Sequence, residues 1–245
     1  MFGLARALKR NGVLGINARN ADYILEYNER RNYPLVDDKA LTKQVALKHK
    51  VAVPDLYGMI EIQQQVATLP DILAPHSDFV IKPANGSQGE GILVITGKVE
   101  GMYRKVDGAL VGIEDLKFLV SNILSGIYSL GGQPDKALIE YRVKFDPVFE
   151  EIAYRGVPDV RIIIFKGVPV MAMVRLPTRM SDGKANLHRG CIGAGIDIST
   201  GRTLTAVWKN SIVTEHPDTG NPVSGVEIPQ WPLLLEIASG AYEMT

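Results

Sequence analysis

Residues 79–94, FVIKPANGSQGEGILV, set a lysine and three glycines between two apolar runs. Phe79, Val80 and Ile81 lead into Lys82. Gly86, Ser87, Gln88, Gly89 and Gly91 follow, and an apolar run from Ile92 ends the unit. That order reads as strand, flexible loop, strand. The chemistry it could do is phosphate binding. Backbone N–H groups approach a phosphate closely where no Cβ intervenes, and Lys82 supplies a point charge. The alternative is a surface hairpin with an ordinary glycine turn, and from these residues alone both readings stay open. A GxxxxGK[ST] loop entering a helix is absent, and the element after the glycines is a strand, unlike the dinucleotide fingerprint.

Further polar residues are hard to explain by packing. Glu140 interrupts an apolar strand. It reads either as a solvent-facing position or as the border of a purine pocket, in which the backbone of residues 140–142 pairs with the base edge. Asp159 and Arg161 alternate on one strand face and could be no more than a surface ion pair. Arg175 ends a very apolar strand, where a charge needs a partner or water. Residues 184–190, KANLHRG, pack Lys184, Asn186, His188 and Arg189 into seven positions. A solvated loop is the default for such a run, yet the same groups could stabilise a triphosphate and a developing acyl phosphate. Cys191 reads as a small buried residue, and no Ser-His-Asp or Cys-His arrangement is present.

These residues must be positioned by 245 residues, enough for one large domain or two smaller ones. Lys plus Arg equals Asp plus Glu at 27 each, so no global field draws the chain to nucleic acid or acidic membrane, and phosphate would need a local basic site. One cysteine excludes an internal disulfide and a cysteine-built zinc site, and a reducing, cytoplasmic setting fits. No apolar run reaches membrane-span length. The basic, mildly amphipathic first twenty residues read as a surface helix or docking element, not a secretory signal.

Periodicity predicts helices over residues 21–33, 39–49 with Asp37 or Asp38 as cap, 61–68, 113–129 and 232–243. Strands are expected over 79–96 with the glycine loop inside, 102–111, 137–143, 201–208, and a hairpin over 159–166 and 168–176. Residues 51–54 read as a short extended piece, and residues 187–198 as glycine-rich with little regular pattern. Strands and helices are mixed rather than alternating, which favours α+β with antiparallel sheets. A break at residues 131–134 divides a glycine-loop half from a strand-rich half, and a nucleotide could be gripped between them.

Taken in order, DKALTKQVA at 38–46, IKPANGSQGEG at 81–91, LIEY at 138–141, DVR at 159–161, Arg175 and KANLHRG at 184–190 resemble the ATP-grasp superfamily, and within it the ribosomal-protein glutamate ligases and the alpha-L-glutamate ligase-like group. The resemblance implies an ATP-grasp fold of two α+β subdomains. Residues 1–38 would be a reduced N-terminal segment, 39–136 the glycine-loop unit, and 137–245 a C-terminal unit. It implies that Lys39 and Lys82 contact nucleotide phosphates beneath the glycine loop of Gly86, Ser87, Gln88, Gly89 and Gly91. Glu140 and Tyr141 would line the adenine, with Asp159 and Arg161 near the nucleotide. Arg175, Lys184 and Asn186 would be catalytic, with Lys184 standing where the family has arginine. The implied reaction is ATP-dependent carboxylate–amine ligation through an acyl phosphate, with glutamate or another amino acid and a peptide or protein acceptor. Nucleic acid and membrane are not expected partners, and a homo-oligomer is compatible. Magnesium is implied as well, but the family's metal-binding acids lie on a later strand and in a Glu-x-Asn element, and no such pair is found near residue 245, so either a shortened chain or an enzyme without its own magnesium ligands is expected. A nucleotide-binding pseudoenzyme or regulatory module is the competing reading.

Overall fold

The computed structural model describes residues 2–86 and 89–244. An N-terminal series of short helical pieces comes first: α1 (Phe2–Arg10), α2 (Ile16–Arg19), a π turn (Asn20–Ile24), α3 (Leu25–Tyr27), a 3-10 turn (Arg30–Asn32) and α4 (Pro34–Asp37). The single helix expected over 21–33 is therefore broken; no residue in its pieces, the π turn, α3 and the 3-10 turn, is buried, so packing does not hold one continuous rod. Helix α5 (Lys39–Lys48) begins at Asp38, whose Oδ1 accepts from the amides of Ala40 at 2.8 Å and Leu41 at 3.2 Å.

The first sheet follows, in the order β1-β6-β2-β3-β4-β5. Its strands are β1 (Leu56–Ile60), β2 (Phe79–Pro83), β3 (Leu93–Val99), β4 (Met102–Lys105), β5 (Leu110–Val111) and β6 (Ala137–Glu140), all paired antiparallel. Between them lie the 3-10 turn Gln63–Thr68, α6 (Leu69–Leu73) and α7 (Ile113–Leu124). One sheet face buries Phe79, Ile81, Ile95 and Ile139 against Leu69, Leu73, Leu116, Val120 and Ile123 of these helices. Alternation along β2 and β6 turns Lys82, Leu138 and Glu140 to the other face. There Leu138 packs with Ala40 of α5, Ala84 and Met59.

The second sheet has the order β11-β10-β9-β8-β7. It contains β7 (Asp159–Phe165), β8 (Val168–Leu176), β9 (Ile192–Ile196), β10 (Thr203–Trp208) and β11 (Ser211–Val213). One face buries Val174, Leu176, Ile192 and Ala194 with Phe149, Ile152, Val223 and Trp231, the last on α8 (Trp231–Tyr242). The chain passes from the first sheet to the second after Glu140. Residues 137–140, expected in the C-terminal unit, thus form a central strand of the first sheet, because β6 is hydrogen-bonded to both β1 and β2.

Residues 154–156 and 181–183 meet backbone to backbone. Tyr154 N donates to Pro177 O at 2.9 Å, and a Cβ on Gly183 would lie 1.8 Å from Arg155 O. Gly183 also holds φ +69°, a left-handed conformation that glycine tolerates. Gly183→Ala is therefore expected to lower unfolding stability by about 2 kcal/mol or more, read as a drop in denaturation midpoint; an unchanged midpoint would show that the two segments separate freely.

Candidate nucleotide-binding site

The glycine loop joins β2 to β3 and rests on a built root. Asp135 is buried at 5% exposure. Its carboxylate accepts from Asn85 N (3.0 and 3.1 Å), Asn85 Nδ2 (2.8 Å) and Lys136 N (2.8 Å). Lys39, at the first position of α5, donates from Nζ to Ala84 O at 3.0 Å and Gly86 O at 2.6 Å. Burial pushes the Lys39 ammonium below its usual range, and the charge of Lys82 adds to this; Asp135, Asp38 and Asp37 pull the other way. Asp135 was not singled out from the sequence. The signal available was its place one turn beyond the Gly131-Gly132 break, beside the loop it anchors.

Packing accounts for two of the three loop glycines. A Cβ on Gly86 would lie 2.2 Å from the Pro83 ring, and one on Gly91 would lie 2.6 Å from the Tyr128 ring. Gly89 has open space around it and needs glycine only for its φ of +76°. Ser87 and Gln88 lie outside the described residues.

Glu140 differs from the solvent-facing alternative. It is 4% exposed on a central strand, under α5. One carboxylate oxygen meets Lys82 Nζ, and the other lies 3.1 Å from Lys43 Nζ, which also donates to Pro54 O. Lys43, one turn along α5 from Lys39, was likewise missed; its spacing of four on the helix was the available clue. Tyr141 leaves the strand at once, and its amide donates to Asp55 O at 2.8 Å, so that N–H is not available to a base edge. Arg142 is tied to Asp78 at 3.1 Å. An apolar slot between α5 and β1, lined by Ala40, Leu47, Val53, Leu56 and Met59, ends at Lys43.

The second sheet carries the other group of polar residues. Register places Asp159 opposite Arg175, and the Asp159 carboxylate contacts both Arg175 and Arg161, the latter at 3.0 Å. Arg175 Nε is buried without a hydrogen-bond partner among the described residues. Glycines 193 and 195 of β9 face Arg175 and Met173 in register and leave that strand bare of side chains there. Asn186 caps the turn Leu187–Arg189 by accepting from His188 N at 3.0 Å. Lys184, half-buried, forms no ion pair among the described residues. Burial pushes the Cys191 thiol up to about 11 against the opposing pull of Arg175, which suits an inert core residue. The two groups of residues meet at the rim, where Arg189 Nη2 lies 2.5 Å from Glu90 Oε1 of the glycine loop.

Magnesium beside a nucleotide needs one or two carboxylates that face the phosphates. Among the described residues no three His, Cys, Asp or Glu side chains gather. Glu140 and Asp159 are each already held by two cations.

Removing the Glu140 charge leaves two inward-facing lysines without their counter-ion. Glu140→Gln is expected to reduce the free energy of unfolding by about 3 kcal/mol or more. Denaturant titration measures it, and a change below about 1 kcal/mol would mean that water reaches both lysines.

No curated protein matches this chain. The crystal structure of D-alanine-D-alanine ligase from Helicobacter pylori is similar over 86% of this chain and 60% of that one, at 15% identity and a TM-score of 0.37. The crystal structure of the D-cycloserine synthetase DcsG is similar over 87% and 72%, at 14% identity and a TM-score of 0.40. This chain therefore spans less than two thirds of the first of these enzymes. Within the superfamily, the resemblance pointed to the glutamate ligase-like group, whereas the matching family carries a different description. Residues 18–245 match the sugar-transfer associated ATP-grasp family, and the chain belongs to it, with the α+β fold of two antiparallel sheets that the ATP-grasp superfamily shares.

Proposed function

We propose that the chain binds ATP beneath its glycine loop and belongs to an ATP-dependent carboxylate–amine ligase. The observation that carries this reading is the convergence of Lys39 and Lys82 at the loop root, close enough for the charge of Lys82 to act on Lys39. Two ammonium groups held near one another in a half-buried place are stabilised by a polyanion, and a triphosphate supplies one.

In this reading the γ-phosphoryl group passes from ATP to a carboxylate oxygen, and ADP leaves. An amine then attacks the acyl carbon, the C–O bond to phosphate breaks, and an amide forms with release of phosphate and a proton. Arg175 and Lys184 are assigned to the charge that develops on the transferred group, with Asn186 orienting the loop that carries Lys184. Asp159 holds Arg175 in place from the neighbouring strand, and Arg161 stands beside it. Tyr141 and the apolar slot beside Lys43 are assigned to the base. Glutamate or another amino acid with a peptide or protein acceptor remains the proposed substrate pair. The family's association with sugar transfer makes a sugar-linked acceptor a second candidate.

Calorimetric titration with ATP and ADP tests the nucleotide site. Lys82→Ala is expected to weaken ATP binding at least tenfold, the size of a lost charge-assisted contact of roughly 1.5–3 kcal/mol. Asp135→Ala, which frees the loop root, is expected to weaken it as well without touching a phosphate ligand. Equal affinities in wild type and Lys82→Ala would remove Lys82 from the phosphate site. Release of ADP that depends on an added amino acid would separate ligation from nucleotide binding alone.

A further inference from the structure

We propose that α1 docks on an anionic lipid surface. At the helical angle of 100° per residue, Leu4, Ala7 and Leu8 fall on one face of α1, and Arg6, Lys9 and Arg10 on the other. Leu4 is 69% exposed and Leu8 42%, and every residue from 3 to 17 is exposed. The apolar character continues beyond the helix through exposed Val13, Leu14 and Ile16. A helix of nine residues is too short to hold itself in water, so its apolar face requires an occupant.

Charge selects the occupant. Arg6, Lys9, Arg10 and Arg19 precede the first acidic residue, Asp22. A second copy meeting it leucine face to leucine face would leave the outward cations of both segments without counter-charge. An anionic bilayer offers an apolar interior to the leucines and dispersed negative charge to the arginines and lysine at once. The attraction is local, because the whole chain is neutral.

The way the segment is tied down agrees with this. Tyr27 packs edge-on against Phe165 at 5.0 Å, and Lys166 Nζ lies 4.8 Å over the Tyr27 ring. That anchor is the turn of the β7–β8 hairpin, where Val168 and Val170 are exposed and no acidic residue occurs between Asp159 and Asp182. The tether thus ends on a hairpin that itself presents exposed apolar side chains and a lysine.

Sedimentation with lipid vesicles tests the proposal on the full chain. Binding is expected to vesicles of phosphatidylcholine with about one third phosphatidylglycerol, at least tenfold over pure phosphatidylcholine, and to fall as salt is raised. Leu4→Glu with Leu8→Glu, and separately Arg6→Glu with Arg10→Glu, are each expected to reduce it at least tenfold. Melting temperature should not move, since these side chains pack on nothing in the fold. Three results would overturn the proposal: no binding to the anionic vesicles, binding that neither pair of substitutions changes, or a concentration-dependent oligomer that the same substitutions dissolve.

Discussion

Burying the Glu140 carboxylate between α5 and the first sheet commits two lysines to it, and much of the first half is arranged around that commitment. Lys43 reaches it from the helix and Lys82 from the neighbouring strand. A carboxylate removed from water is costly unless it is paired, and the oxygen beside Lys43 has that ion pair but no hydrogen-bond partner among the described residues. Two partners from two elements fix the helix against the sheet. They also fix the register in which Lys39, one turn earlier on the same helix, reaches the carbonyls of Ala84 and Gly86. A hydrophobic contact among Ala40, Ala84 and Leu138 completes the same junction with small side chains, which is what allows α5 to lie so close.

The glycine loop is consequently less loose than its composition suggests. Its first residues are held by Asp135 and Lys39, Gly86 pairs with Ser129, and Gly91 lies against Tyr128. Only around Gly89 is there open space. The root of the loop thus combines fixed hydrogen bonds with close packing. A phosphate-binding loop needs that combination, since backbone donors must be oriented before a ligand arrives if ordering them is not to weaken binding.

Long periodic segments were legible from the sequence, and short or interrupted ones were not. The strand–loop–strand unit, the hairpin of β7 and β8, the cap at Asp38 and helices α5, α7 and α8 follow patterns that local propensity and packing both favour. Strand β1 was missed because LYGMI is short and holds a glycine, and its place is decided by pairing with the distant β6. Strand β9 was missed because Gly193 and Gly195 erase the alternating pattern, although both neighbours in the sheet hold it extended. The reading of residues 137–140 as part of the C-terminal unit failed for a related reason: a break such as Gly131-Gly132 marks a turn, not which sheet the next strand joins. Within the site, most charged residues could be seen, and the Asp159–Arg161 pair with them. The pairing of Glu140 with Lys82 and of Asp159 with Arg175 depends on cross-strand register, and that of Glu140 with Lys43 on how α5 sits on the sheet, which one sequence does not carry.

The doubled pairing at Glu140 bears on the proposed function. In that reading, a phosphate arriving at the loop root would compete with the carboxylate for Lys82. Were Lys82 its only partner, the move would strand a buried negative charge, and the loss would subtract from nucleotide affinity. Lys43 lies 3.1 Å away and is further held by Pro54 O, so in the proposed reading it would remain with the carboxylate if Lys82 turned outward. The second sheet repeats the arrangement in mirror sense: Asp159 keeps Arg161 if Arg175 is drawn toward substrate. Each half thus holds one cation that can be released and one that stays. In the proposed reading, that division would let a chain with no net charge present positive groups to a polyanion without storing an unpaired charge in its interior beforehand.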